Sequence, residues 1–344
     1  ITDPQPAIGI GPTLEAPTDV AYDEARDRVY VMEADFGDKL VEVNPNGDRR
    51  TLADASVGVG INFRGLRGLD FDASTRTIYA VDYVADIIVS IDATNGNRDL
   101  ISGPVDGRGT IDQSPLDLAL DKSRGVVYVA DFQTDSVYAL NIETGQRVVV
   151  ADAATGVGPT LYRPQSLRID AQRGVVYVLN LDSTVISVDV ATGARSRIGD
   201  DSLGQVSGIA LDAEKGVLYT AEENSGAIKR VDLATGVVST VSAGVPFFSS
   251  VGAIALDRAQ NRILMIEDYP LRLSSVDIAT GSRSIVSGEV GLTKAPARGN
   301  GTPLGGPSEI EIDEERHIAY ISDDQYDAIF AIDLDSGDRQ IISK

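Results

Sequence analysis

The stretch Ser114–Val148, SPLDLALDKSRGVVYVADFQTDSVYALNIETGQRV, decides the fold. Leu116–Leu120 is an apolar strand, Asp121–Gly125 a polar turn, and Val126–Ala130 a β-branched and aromatic strand. Val137–Ile142 reads as a third strand. Glu143-Thr144-Gly145 is a hairpin turn whose glycine reaches positive φ at no steric cost. A fourth strand starts at Arg147. The segment predicts one four-stranded antiparallel sheet.

Versions of this segment recur along the chain. Aligned on the Asp that closes each first strand (Asp23, Asp72, Asp121, Asp170, Asp212, Asp257, Asp313), the copies are spaced by 49, 49, 49, 42, 45 and 56 residues. Seven strand-only copies with a period in the forties predict an all-β, seven-bladed β-propeller, in preference to a solenoid. The predicted blades are 17–63, 64–113, 114–162, 163–204, 205–249, 250–305 and 306–344, behind an N-terminal loop segment at 1–16. First strands are expected near 18–22, 67–71, 116–120, 165–169, 207–211, 252–256 and 308–312. No helix longer than about two turns is expected, because no long segment carries a 3.6-residue apolar period.

Three further positions fix the register. The second strand carries Tyr30, Tyr79, Tyr128, Tyr177, Tyr219, Leu264 and Tyr320. Three residues on come Glu33, Asp82, Asp131, Asn180, Glu222, Glu267 and Asp323, a set expected to bond backbone of its own or the next blade. The turn between third and fourth strands ends in Gly47, Gly96, Gly145, Gly193, Gly236, Gly281 and Gly337, which marks a backbone requirement. Second strands such as Val126–Val129 are apolar on both faces, as expected of a sheet sandwiched between two others.

The motif Val127–Asp131 (VYVAD), Ser136–Asn141 (SVYALN), Thr144-Gly145 resembles the YVTN, YWTD and NHL propeller repeats. The openings Pro115–Asp121 and Pro164–Asp170 are similar to theirs as well. The resemblance covers about residues 17–344 and implies the fold. It implies no single activity, since binding proteins, lyases, lactonases and dehydrogenase subunits share such repeats. The chain departs from the six-bladed lactonase group in repeat count and lacks that group's metal-ligand signatures.

Composition narrows the partners. Thirty Lys and Arg against 52 Asp and Glu leave a net charge of −22, which repels phosphate backbones and anionic membranes. Nucleic acid is therefore not an expected partner. No apolar run approaches the ~18–20 residues of a membrane span. Cysteine is absent, which removes disulfides and thiolate chemistry without deciding the compartment. The chain opens at Ile1, as either removal of an export signal or truncation would leave it, and a periplasmic, cell-surface or secreted bacterial monomer is expected. Gly9–Pro17 matches Gly156–Pro164, so the N-terminal segment reads as another inter-blade loop. The fourth strand of the last blade, Gln340–Lys344, is already present, so closure without an exchanged strand is expected. The longest connection, 288–307, is rich in Gly and Pro; such a loop is functional or disordered.

Candidate site residues are those in which one copy departs from its siblings. Two residues before the aligned Asp, small residues are interrupted by Asp70, Arg168 and Glu311; four before it stand Asp19, Asp117 and Glu309, with Arg67 nearer the mouth. These layers lie ~6–7 Å apart at strand rise and are expected to face a central channel. Arg67 and Arg168 suit a carboxylate or sugar acid, and Asp70, Asp117, Glu309 and Glu311 suit Ca²⁺ or a basic group. The plain alternative is a solvated channel whose charges balance. In the mouth loops Tyr83, Asp182, Glu223, Tyr269 and Asp324, beside Asp35, Phe132, Asp268 and Tyr326, vary from blade to blade and are contact candidates for a sugar or a cationic peptide. The only histidine, His317, falls in the turn between the first two strands of the last blade, away from the mouth, which excludes a His-dependent triad there. The expected function is non-catalytic binding of a partner protein, glycan or small-molecule ligand at the mouth. The alternative is a Ca²⁺-assisted lactonase-like hydrolase or carbohydrate lyase using the channel acids and arginines.

Overall fold

The computed structural model describes residues 9–34, 38–103, 114–244, 251–268, 270–288 and 298–344. They form seven four-stranded antiparallel sheets, each with its strands in chain order, and the fold is an all-β seven-bladed propeller. Among the described residues the only helix is one 3-10 turn, Asp201–Leu203. First strands run Pro17–Asp23, Leu66–Asp72, Pro115–Asp121, Pro164–Asp170, Val206–Asp212, Val251–Asp257 and Pro307–Asp313, one residue longer at each end than the repeats predict. Of the long connection, 289–297 lies outside the described residues, and Arg298 bridges back to Gly288.

The chain divides into two compact units. One spans Thr51–Asp200 with Ala34–Leu40 and holds blades 2, 3 and 4; the other holds blades 5, 6 and 7 with most of blade 1. In the first, the double-sided second strands make the core. Val127 and Val129 pack with Tyr79, Val81 and Ile88 of blade 2, while Tyr128 and Ala130 pack with Leu167, Val176 and Val178 of blade 4. Each fully buried aliphatic side chain stabilises by about 1.5–3 kcal/mol, so the sandwich explains why these strands lost alternation.

The repeated acids are turn chemistry. The Asp closing each first strand is buried and caps the following turn: Asp121 accepts from Arg124 N (3.1 Å) and Ser123 Oγ (2.6 Å), and Asp170 from Arg173 N (2.9 Å). In the turn between third and fourth strands, Asp189, Asp232 and Asp277 each accept a threonine hydroxyl at 2.7–2.9 Å together with that threonine's amide. The seven glycines of this turn all have φ between +69 and +83°.

A second repeated device joins blade to loop. The residue two beyond that glycine is Arg49, Arg98, Arg147, Arg195, Arg283 or Arg339, and blade 5 alone has Val238 there. Arg98, only 3% exposed, donates Nε to Ile61 O (2.7 Å) and Nη1 to Val57 O (2.7 Å), with its guanidinium over the Phe63 ring. Arg195 reaches Pro159 O, Asp152 O and Thr155 O in the same way. In the other unit Arg49 reaches Pro12 O, and Arg339 reaches Thr302 O and Arg298 O. Burial pulls the Arg98 and Arg339 guanidiniums below arginine's ordinary value. Opposite each lies a Gly-x-Gly: a Cβ on Gly60, Gly158, Gly11 or Gly301 would overlap the carbonyl of the arginine it faces. The described part of the N-terminal segment meets Arg49 as Gly158 and Pro159 meet Arg195.

Blades 7 and 1, both within the second unit, pack without exchanging a strand: Arg339–Ser343 pairs within blade 7 and Pro17–Asp23 within blade 1. Arg316 ties the seam by bonding Asp313, Asp27 and the Tyr22 hydroxyl, and it lies over the Tyr22 ring, which in turn stacks 5.2 Å from Tyr320. Ala16 N donates to Asp327 at 2.9 Å.

Two measurements check this reading. Gly96 and Gly236 have nearly the same φ (+75 and +72°), yet a Cβ on Gly96 would run into Leu52 O while one on Gly236 meets nothing. Gly236→Ala should cost about 1 kcal/mol in urea denaturation and Gly96→Ala more than about 3 kcal/mol; equal costs would show that backbone angle alone matters. The second concerns acid stability. Hydroxyl bonds from Thr192, Thr235 and Thr280 hold Asp189, Asp232 and Asp277 below the usual carboxylate range. A lowered folded value contributes stability that is present above the unfolded value of about 3.9 and lost as pH falls through the folded value. The melting-temperature gap between the parent and a Thr192→Val, Thr235→Val, Thr280→Val variant should be full above about pH 5 and narrow as pH falls below about 4. A gap of the same size across that range would contradict the assignment.

Candidate functional site

The two strand-to-loop junctions at the start of each first strand gather at one end of every blade. Tyr83 N donates to Gly65 O, Phe132 N to Ser114 O and Leu181 N to Tyr162 O, so each loop between second and third strands is stitched to the entry of its own first strand. Irregular pairing interrupts the ladder at this entry, as between Leu66 and Leu69, and presents Arg67 outward. The acids at the ends of the second strands hold these loops, as the repeats predict. Asp82 accepts from Arg64 N (2.6 Å), Val84 N and Ala85 N, and in the other unit Asp323 accepts from Gly305 N, Gly306 N and Tyr326 N. Burial raises the Asp323 carboxyl, and it raises that of Glu267 despite the Arg272 ion pair.

In the unit of blades 2–4 the first-strand charges are joined to one another's backbone. Asp70 accepts from Phe71 N (2.7 Å) and, across to blade 3, from Leu120 N (2.9 Å). Asp117 accepts from Leu118 N and, across to blade 4, from Leu167 N and Ser166 Oγ, both at 2.9 Å. Adjacent first strands belong to different sheets, so these carboxylates bridge amides that no ladder pairs. Burial raises the Asp70 carboxyl above its ordinary value, outweighing both amides. Arg168 donates to Leu167 O (2.7 Å) and Ser166 Oγ (3.2 Å) and stands 3.5 Å from Asp117. Arg67 is exposed and has no partner among the described residues. The other unit holds Asp19, Glu309 and Glu311, all half-buried; Asp19 accepts from Val20 N. Glu309 and Glu311 are not free of partners. Among the described residues, no group of three or more His, Asp or Glu side chains is placed to hold a metal ion.

The remaining candidates sit at the loop end. Tyr83 is exposed beside Gly65; Asp182 is exposed and accepts from Thr184; Glu223 is exposed, its amide on Gln205 O; Asp324 is exposed over Gly306. Tyr269 and Asp35 lie outside the described residues. His317 lies in the turn between the first two strands of blade 7, bonded to Gln260 and Asp335. Sequence reasoning passed over Arg163 and Tyr162. Arg163 lies over the rings of Phe132 (5.3 Å) and Tyr162 (5.9 Å), and its amide is held by Asp135 at 2.6 Å. A cue was present in the repeat: before the proline that opens four of the first strands stand Ala16, Ser114, Arg163 and Gly306, and only one of these is a long cation.

No family model matches the chain, and no curated protein matches it in sequence. Its fold is shared with 1626 solved chains, a breadth that leaves activity undecided. One of them, described as the crystal structure of a nidogen/laminin complex, aligns at TM-score 0.52 with 16% identity over 78% of this chain and 90% of that one. At that identity the likeness speaks for the fold alone. No helix among the described residues is long and apolar enough to cross a membrane.

The bonding pattern separates two residues that the sequence groups together. Asp117→Ala removes acceptors from three donors and should cost about 2–3 kcal/mol in urea denaturation. Half-exposed Arg168→Ala should cost less than about 1 kcal/mol. A larger loss for Arg168 than for Asp117 would show that the cation, rather than the carboxylate, holds blades 3 and 4 together.

Proposed function

We propose that this chain is an exported, non-catalytic propeller that holds a partner protein at the loop end of its blades. The observation that carries the reading is where large apolar side chains remain in water. Tyr83, Val84, Tyr162 and Leu181 are 37–52% exposed, and all four stand on the loop end of blades 2 and 4. The other exposed ones sit in the Gly-x-Gly loops (Ile10, Val59, Val157) or on fourth strands and their turns (Val148, Val237). Exposed apolar residues gathered on one face mark interaction surfaces. The first-strand carboxylates of this unit are engaged by neighbouring amides, which supports a structural role for them over a catalytic one. That a protein of the same fold was solved as a complex between two proteins fits the reading and adds no weight beyond fold.

The test is a peptide-display and glycan-array screen against the immobilised chain, with each binder measured again on variants. Tyr83→Ser with Leu181→Ser should weaken a binder at least about tenfold, whereas Glu143→Lys, in the turn between third and fourth strands of blade 3, should not change it. Binders indifferent to the loop-end pair would overturn the proposal. A calcium titration checks the hydrolase or lyase alternative, since a metal held by the folded chain must raise its melting temperature.

A further inference from the structure

The loop end of blades 2–4 differs in charge from the rest of an acidic chain. On its described loops and first-strand entries, the exposed charged residues are Arg64, Arg67, Arg163, Asp182 and, in the loop leaving blade 4, Asp200. The other acids there are buried or half-buried and bonded to backbone amides: Asp82 to Arg64 N, Asp86 to Ser114 N, Asp135 to Arg163 N and Asp117 to Leu167 N. In the second unit the exposed charges at the equivalent positions are Glu15, Glu223, Asp268, Asp324 and Asp327. In a chain of net charge −22, three exposed arginines against two exposed acids on the described part of this face are a local reversal of sign. The same loops carry Tyr83, Val84, Tyr162 and Leu181, so cations and apolar side chains are interleaved.

Taking the loop-end reading above as its basis, we infer that blades 2–4 dock an acidic peptide segment of the partner, one in which carboxylates alternate with apolar or aromatic side chains. Guanidiniums accept carboxylates bidentately, and the flanking apolar residues receive what lies between them. Arg163 is pre-set for this. Its position over Phe132 and Tyr162 fixes the plane of the fork and lowers the entropy lost on binding. Arg67 stands in the irregular entry of its strand with no partner among the described residues, and so with no described acid to release before it can bind. The field of the whole chain repels an acidic partner at long range. Binding is therefore carried by the short-range contacts, and association is slow at low ionic strength unless the arginine face leads.

The test uses labelled twelve-residue peptides of alternating Glu and Leu or Tyr, their Gln and Lys counterparts, and oligogalacturonate, followed by fluorescence anisotropy. The acidic peptide should bind, and the Gln and Lys peptides should bind at least about tenfold more weakly. Arg67→Ala and Arg163→Ala should each weaken it about three- to tenfold, Arg163→Lys should recover only part, and Arg197→Ala, on the fourth strand of blade 4, should leave it unchanged. Equal binding of the Gln peptide that is still lost in the Tyr83→Ser, Leu181→Ser variant would overturn the acidic inference and leave the loop-end reading standing. Binding of oligogalacturonate in place of peptide would overturn the partner class. Peptide binding that survives both the arginine and the Tyr83/Leu181 variants would overturn the inference and the reading together, as would no binding by any probe at millimolar concentration.

Discussion

The structure depends on a buried cation that has carbonyls, not carboxylates, for company. At the head of the fourth strand, Arg98 and its counterparts turn inward and collect the carbonyls of the loop arriving from the preceding blade. That loop has no strand partner along this run, so its carbonyls would be left without donors under the edge of the sheet. One guanidinium supplies several of them at fixed geometry, which a lysine ammonium could not do. Desolvating the charge is unfavourable, and the charge-assisted bonds, at about 1.5–3 kcal/mol each, offset it only while all are made. The Gly-x-Gly opposite is the matching half: it lets the loop backbone lie against the arginine's own carbonyl. Blade 5 has neither part, with Val238 in place of the arginine and the short Asp201–Leu203 turn in place of the loop.

The acidity of the chain follows from its turns. Each blade uses an acid or Asn at three kinds of corner: the end of the first strand, the end of the second, and the turn before the fourth. At each the carboxylate accepts amides that the turn leaves unpaired. Repeating this seven times places 18 of the 52 acids where backbone geometry needs them, so this share of the acidity calls for no cationic ligand. The described part of the face of blades 2–4 stands out because most of its acids are held by backbone amides while Arg67 has no described partner.

The period, the strand positions and the turn glycines were legible because each is a local requirement repeated seven times. Tyr128 and Gly145 mean the same thing in every copy, so one reading served all. The arginine of the fourth strand was equally regular, two residues after each glycine, yet its role was hidden. Its partners lie 36–43 residues upstream and are backbone carbonyls, which carry no residue signature. Asp70 and Asp117 were legible as departures from their siblings but not as bridges, since the amides of Leu120 and Leu167 are invisible in sequence. Arg163 was missed because its significance comes from Phe132, some thirty residues away, and the two meet only once blades 3 and 4 are side by side.

The central claim is that guanidinium and Gly-x-Gly form one joint. A double-mutant cycle between Arg98→Met and Gly60→Ala, read by urea denaturation, tests it most directly. If the two act together, either change alone releases the loop and the second adds little, giving a coupling of about 2 kcal/mol or more. Costs that add to within about 0.5 kcal/mol would mean that the arginine and the glycine stabilise the blade independently, and would contradict the account.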